Sequence, residues 1–188
     1  MHGTLTHFHT FAFMIVRSTS QLIAIAGVSR AGKTSLAMFI QQTLPDIPVR
    51  IFHLDNFVYP EEQIPKINGH TDWECPKSTN FDALFHQVKP HLTRPGITII
   101  EGLFPFSDPR LAPIYNKVLY LSLPFREFYQ RKVKDVRWGA EPSWYIRHIW
   151  RSHLKYGSPP KEYDGQSLFL PWYDSSQNSR IVEFVRDF

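Results

Sequence analysis

Eight consecutive residues, Gly27-Val-Ser-Arg-Ala-Gly32-Lys33-Thr34, carry the clearest chemistry in the chain. They match G-x-x-x-x-G-K-[ST], the spacing of a phosphate-binding loop between a strand and a helix. Glycines let successive backbone N–H groups turn inward on phosphate oxygens, and the helix that follows adds its positive N-terminal end. A lysine here reaches the terminal phosphates of a nucleoside triphosphate, and the hydroxyl beside it ligates Mg²⁺. The expected nucleotide-binding residues are Gly27, Val28, Ser29, Arg30, Ala31, Gly32, Lys33, Thr34 and Ser35. Two carboxylates stand in matching places further on. Ile51-Phe-His-Leu-Asp55 and Ile97-Thr-Ile-Ile-Glu101 each read as an apolar strand ending in an acid. In an open α/β sheet those ends fall beside the phosphate loop. Asp55 is placed to take a proton from an acceptor hydroxyl, or to hold a metal-bound water. Glu101 has the form of a Walker B acid, sharing Mg²⁺ with Thr34.

These residues need a scaffold that brings strand ends together, and the hydrophobic pattern supplies one. Short continuous apolar runs at Leu22–Ala26, Val49–Leu54, Ile97–Ile100, Val118–Leu123 and Ser167–Leu170 read as strands covered on both faces. Helical patterns separate them at Lys33–Leu44, Phe81–Leu92, Phe125–Arg137, Ser143–Lys155 and Arg180–Phe188, with Pro90 ending or kinking the second. Strand–helix alternation predicts an α/β fold with a five-stranded parallel sheet and helices on both faces. Residues 1–20 precede any recognisable element and lack the charged and long apolar regions of a signal peptide. They are expected to form an N-terminal extension to a single domain spanning 21–188.

Composition agrees with that organisation. A chain of 188 residues with 43% hydrophobic and 15% aromatic content can bury a proper core, and its one cysteine, Cys75, excludes an intrachain disulfide framework. No apolar run approaches a membrane span, and a cytoplasmic location is expected. The net charge of +4 is unevenly spread. Between Phe125 and Lys155 eight basic residues face three acids, a net of +5, while the remainder is slightly acidic. Such a segment is either a solvated helix face or a surface for polyanions. Cys75 has no activating base in view and reads as a small lining residue, and His53 reads as an ordinary strand residue.

Taken in order, Gly27–Thr34, Leu54-Asp55-Asn56-Phe57, Trp73-Glu74-Cys75-Pro76 with Asn80-Phe81-Asp82, and Ile99-Ile100-Glu101-Gly102 resemble the motifs of the P-loop riboside kinases, the group of uridine kinase and nicotinamide riboside kinase. The resemblance runs from about Gln21 to Lys155. It implies the P-loop NTPase fold, ATP and Mg²⁺ as cofactors, Asp55 as catalytic base, and a small riboside as acceptor. It also implies that Trp73 stacks on the base and Glu74 binds the ribose hydroxyls. Glu74 stands where the group usually has Asp, one methylene longer, which calls for a shifted backbone or a different sugar. The resemblance makes the basic segment, about 125–155, a helical lid over the phosphates. Arg131 then serves catalysis, Arg137 contacts the nucleotide, Lys132 the acceptor, and Trp138 forms a second aromatic wall.

The reading that follows is ATP-dependent phosphorylation of a riboside 5′-hydroxyl. Nicotinamide riboside leads uridine and cytidine because the stretch from Asp55 to Glu74 leaves little room for an extra hairpin over the base. A cationic ring beside Trp73 would also gain cation–π attraction. Two other classes stay open: an NTPase acting on nucleic acid through the basic segment and its tryptophans, and a nucleotide-binding protein without catalysis.

Overall fold

Apolar runs bounded by loop residues become strands here because both faces of the sheet are covered. In chain order the elements are β1 (Ser20–Gly27), α1 (Lys33–Thr43), β2 (Val49–His53), β3 (Lys66–Ile67), β4 (His70–Thr71), α2 (Phe81–Val88), β5 (Gly96–Gly102), β6 (Lys117–Leu121), α3 (Phe125–Val133), α4 (Ser143–Tyr156), β7 (Gln166–Leu170) and α5 (Asn178–Arg186). This computed structural model describes residues 20–137 and 139–187. The expectations for Trp138 and for the N-terminal extension up to residue 19 lie outside the described residues.

Five strands form one parallel sheet in the order β2-β5-β1-β6-β7, the α/β P-loop NTPase arrangement that the alternation predicts. Alternate residues divide between two cores. Ile23, Ile25, Ile97, Ile99, Leu119 and Leu121 pack with Leu36 and Ile40 of α1, Phe128 of α3, Ile146 and Ile149 of α4, and Ile181 and Val185 of α5. Leu22, Ala24, Ala26, Ile100 and Val118 face the other way, against Leu84 and Val88 of α2 and the loop residues Phe104, Leu111 and Tyr115. Each fully buried aliphatic side chain contributes roughly 1.5–3 kcal/mol.

Three local features depart from the sequence pattern. The α-helical part of α2 ends at Val88 and continues as a 3₁₀ turn through Pro90, whose ring and missing N–H interrupt the ladder. Helix α3 ends at Val133, four residues early, because the Asp135 carboxylate takes hydrogen bonds from the Arg137 backbone N–H and guanidinium and pulls the chain into a turn. The third is the antiparallel pair β3–β4, a minimal hairpin inside the Asp55–Glu74 stretch that was expected to leave little room for an extra hairpin over the base. Asn68 and Gly69, at φ 49° and 80°, make the two-residue turn that a minimal hairpin requires.

One glycine fixes where the second strand delivers its acid. A Cβ on Gly102 would stand 2.6 Å from the Leu54 Cβ, so the turn Leu54–Phe57 seats against the end of β5 only because that position is bare. Gly102→Ala should therefore cost about 1–3 kcal/mol of folding stability through overpacking. Denaturant unfolding of the variant and the parent checks this.

Candidate functional site

Strands β1, β5 and β2 end level with one another. Ile25 and His53 both pair in register with Glu101, and Ala26 with Gly102. The phosphate loop leaves β1 at that level and enters α1 through Gly32, whose φ of 97° is left-handed. Arg30, at φ 67°, is left-handed as well, so the loop turns twice within three residues. A Cβ on Gly32 would meet the Tyr173 Cβ at 3.1 Å, and the Tyr173 N–H donates to the Ala31 carbonyl at 3.1 Å. The loop after β7 thus braces the phosphate loop from outside. Val28 and Ala31 are buried and anchor the loop, while Ser35 is exposed on the first turn of α1. Lys33 Nζ donates to the Val28 carbonyl at 3.1 Å. Desolvation lowers the proton affinity of this ammonium, and Glu101, Asp55 and Glu74 oppose the shift.

Thr34 Oγ1 donates to Glu101 Oε1 at 2.9 Å, so the two residues expected to hold Mg²⁺ are in contact. Their oxygens suit a hard cation that completes its shell with phosphate and water oxygens. Among the described residues no group of three His, Cys, Asp or Glu side chains gathers as a cage, so a metal held here would lean on the nucleotide. His53 Nδ1 lies 2.7 Å from the same Glu101 oxygen. The reading of His53 as an ordinary strand residue missed this contact, although its place two residues before Asp55 at a strand end was the available signal. Asp55 itself is exposed on the turn after β2.

Trp73 and Glu74 sit on an excursion that leaves the sheet after Phe57 and returns at Asn80. Its neck is closed by the Val58–Thr79 bridge and by two backbone bonds, Tyr59 N–H to Ser78 O at 2.9 Å and Asn80 N–H to Phe57 O at 2.6 Å. Its tip is pinned to α4. Tyr145 Oη donates to the Thr71 carbonyl at 3.1 Å, His148 Nε2 pairs with Asp72 Oδ1 at 2.7 Å, and His70 packs edge-on against Trp144. Trp73 is 40% exposed and free to be covered by a ligand, whereas Glu74 is 9% exposed. Burial pushes the Glu74 carboxyl up to about 8; Glu141 and Asp55 add to the shift, and Lys132 and Lys33 oppose it. Cys75 donates to the Asp72 carbonyl, and desolvation raises its thiol, in keeping with a lining residue.

The basic segment divides in two. Arg131 of α3 donates through Nη1 to the Arg30 carbonyl at 3.2 Å, is held by Glu127 at 2.8 Å, and lies over the Trp172 ring at 5.5 Å. Lys132 is 7% exposed and pairs with Glu141 at 2.9 Å. Arg137 grips Asp135, which Arg30 also approaches at 3.6 Å, so this segment is tied to the loop after β1. Hydrogen bonds from Arg137 hold the Asp135 carboxyl well below the usual range. Arg126, Lys134, Arg147, Arg151 and Lys155 are exposed on the outer faces of the segment. Charge interactions link Lys33 with Glu101, Asp55 and Glu74, and Glu74 with Lys132, so these five side chains share this end of the sheet. The roles of Glu141 and His148 were not foreseen, since no motif marks them.

Fold, phosphate loop and strand-end acids define a protein of the P-loop NTPase fold. No protein-family model matches the chain. It is similar to nicotinamide riboside kinase 1 of Rattus norvegicus, 29% identical over 184 residues that cover 88% of this chain and 93% of the relative. It is also similar to the uridine kinase of Oceanobacillus iheyensis, 20% identical over 195 residues covering 87% and 91%. Among solved structures, a Chloroflexus aurantiacus protein provisionally described as a kinase superposes with a TM-score of 0.63 at 19% identity, covering 90% of this chain and 96% of its own. The chain is an enzyme of the kinase class, and the riboside kinases are the group that its sequence resembles. No helix of the described residues is long and apolar enough to cross a membrane.

The raised Glu74 carboxyl has a consequence for stability. Its folded value exceeds that of the unfolded chain, so the folded state binds the extra proton between about 4.5 and 8. The stability it adds is complete below that window and is lost as pH rises through it. Melting temperatures of the parent should fall relative to Glu74→Gln between pH 5 and pH 8.5. Parallel curves for the two proteins would contradict the assignment.

Proposed function

We propose that the protein transfers the γ-phosphoryl group of ATP to the 5′-hydroxyl of a riboside, with nicotinamide riboside as the leading acceptor. The observation that carries the reading is the meeting of Lys33, Asp55, Glu74 and Glu101 at one end of the sheet, where all three acids act on the Lys33 ammonium. The similarity to nicotinamide riboside kinases and to a uridine kinase over most of the chain supports the acceptor class.

In this reading the backbone of Gly27–Thr34 and Ser35 cradles the phosphates, and Lys33 offsets charge on the group in transfer. Mg²⁺, held by Thr34 and Glu101 with the nucleotide, would neutralise charge on the β- and γ-phosphates. Asp55, exposed where β2 delivers it, accepts the proton of the acceptor hydroxyl. Arg131, already bonded to the phosphate loop through Arg30, and Arg137 stabilise charge as it spreads over the equatorial oxygens. Trp73 gives the base a stacking face, Glu74 and Lys132 address the sugar, and Trp138 is proposed as a second wall. The lid, about 125–155, excludes water that would otherwise compete as acceptor. A small molecule is therefore the partner proposed, acting in the cytoplasm, rather than a nucleic acid.

Hairpin β3–β4 removes segment length as a ground for preferring nicotinamide riboside over uridine. What favours the nicotinamide compound is charge: a cationic ring gains attraction from an aromatic face such as that of Trp73.

Mass detection of monophosphate products from a pool of nicotinamide riboside, uridine, cytidine and pantothenate tests the reading, with nicotinamide mononucleotide expected as the dominant product. Product from pantothenate alone, or ADP release stimulated only by single-stranded nucleic acid, would overturn it. Asp55→Asn should lower kcat by about 10²–10⁴-fold while ATP binding, followed by equilibrium titration, persists.

A further inference from the structure

Two carboxyl oxygens in the acceptor region lack a hydrogen-bond partner. Glu74 Oε2 and Glu141 Oε2 are both buried and have no hydrogen-bond partner among the described residues. A buried carboxylate oxygen left without a donor is costly, and native proteins seldom keep one except where something else completes it. Glu74 is expected to meet the acceptor from its place beside Trp73. No motif assigns Glu141, which precedes Pro142 at the start of α4.

The ion pair with Lys132 does not account for Glu141. Lys132 Nζ takes Oε1 at 2.9 Å and leaves Oε2 without a donor, in a side chain only 20% exposed. A pair serving stability alone would gain nothing by setting a second acid where it burdens the first, yet the Glu141 charge acts on Glu74. The groups facing Glu74 come from four other parts of the chain: Lys33 at the start of α1, Asp55 after β2, Lys132 of α3, and Glu141 with Tyr145 at and after the entry to α4. Lys132 opposes the Glu74 shift and pairs with Glu141, so it tempers both acids without satisfying either Oε2.

We infer that Glu141 is a second acceptor-recognising acid, and that Glu74 Oε2 and Glu141 Oε2 each bond one hydroxyl of a vicinal diol on the bound acceptor. This rests on the riboside reading and deepens it: Glu141 is the residue that adds to the discrimination between an intact diol and a deoxy sugar. A diol offers one hydroxyl to each acid, whereas a deoxy sugar leaves one of the two buried carboxyl groups without a partner, an asymmetry that sites built for hydrogen bonding use to discriminate. Glu141 is thus a specificity-determining residue held in place by Lys132.

The test compares kcat/KM for whichever riboside the parent phosphorylates with that for its 2′-deoxy and 3′-deoxy analogues, in the parent and in Glu141→Gln. The parent should favour the riboside over both analogues. The variant should lose about tenfold of that preference against one of them, chiefly through KM, with ATP affinity by equilibrium titration within about twofold. Glu141→Asp keeps the charge for Lys132 but shortens the reach, and should lose the same preference; it serves also if Glu141→Gln melts early. An unchanged preference in the folded variants, or an equal loss for all three sugars, would show that Glu141 only supports Lys132 and would overturn the inference. Should the parent phosphorylate no riboside, the functional reading fails and this inference falls with it.

Discussion

The hydrogen bond from Thr34 to Glu101 joins the two halves of the site, and it exists because neighbouring parallel strands end at the same level. Parallel pairing fixes Ile25 and His53 opposite Glu101, so the loop after β1, the acid closing β5 and the turn after β2 emerge together. A slip of one residue along β5 would turn Glu101 to the opposite face of the sheet and break the contact. The two apolar cores resist such a slip, since Ile97 and Ile99 pack on one side and Ile100 on the other. The packing of the interior thereby holds the chemistry at the edge in place.

Much of this was legible in the sequence. All five strands, the parallel sheet and the position of the phosphate loop follow from hydrophobic runs and one motif, because each depends on contiguous residues. Helix ends were less legible. Asp135 stops α3 by bonding to Arg137, a competition that propensity alone does not reveal. Hairpin β3–β4 could have been read from Asn68-Gly69, yet its strands are two residues each, too short for an alternation to show. Contacts such as His53 with Glu101, or Tyr145 with Thr71, join residues 48 and 74 positions apart and are set by topology rather than by local pattern.

The positive charge of 125–155 is likewise sorted by the fold. Arg131 and Lys132 are drawn inward because each finds a carboxylate or carbonyl there, and Arg137 closes on Asp135. Arg147 and Arg151 border a shallow surface hollow with Phe125 and Trp150, away from the phosphate loop contacts. The segment's net charge therefore overstates what reaches the site. Two residues at its inner edge and one ion pair make the connection.

The excursion that carries Trp73 and Glu74 is closed at its neck by backbone bonds and fastened at its tip to α4. It is a beam supported at both ends, with the second support on α4. Load applied at either place is felt at the other. Displacing α4 would strain the tip, and drawing the tip inward would reposition α4. By thermodynamic reciprocity, a ligand that binds more tightly with the tip drawn inward would in turn favour the matching position of α4.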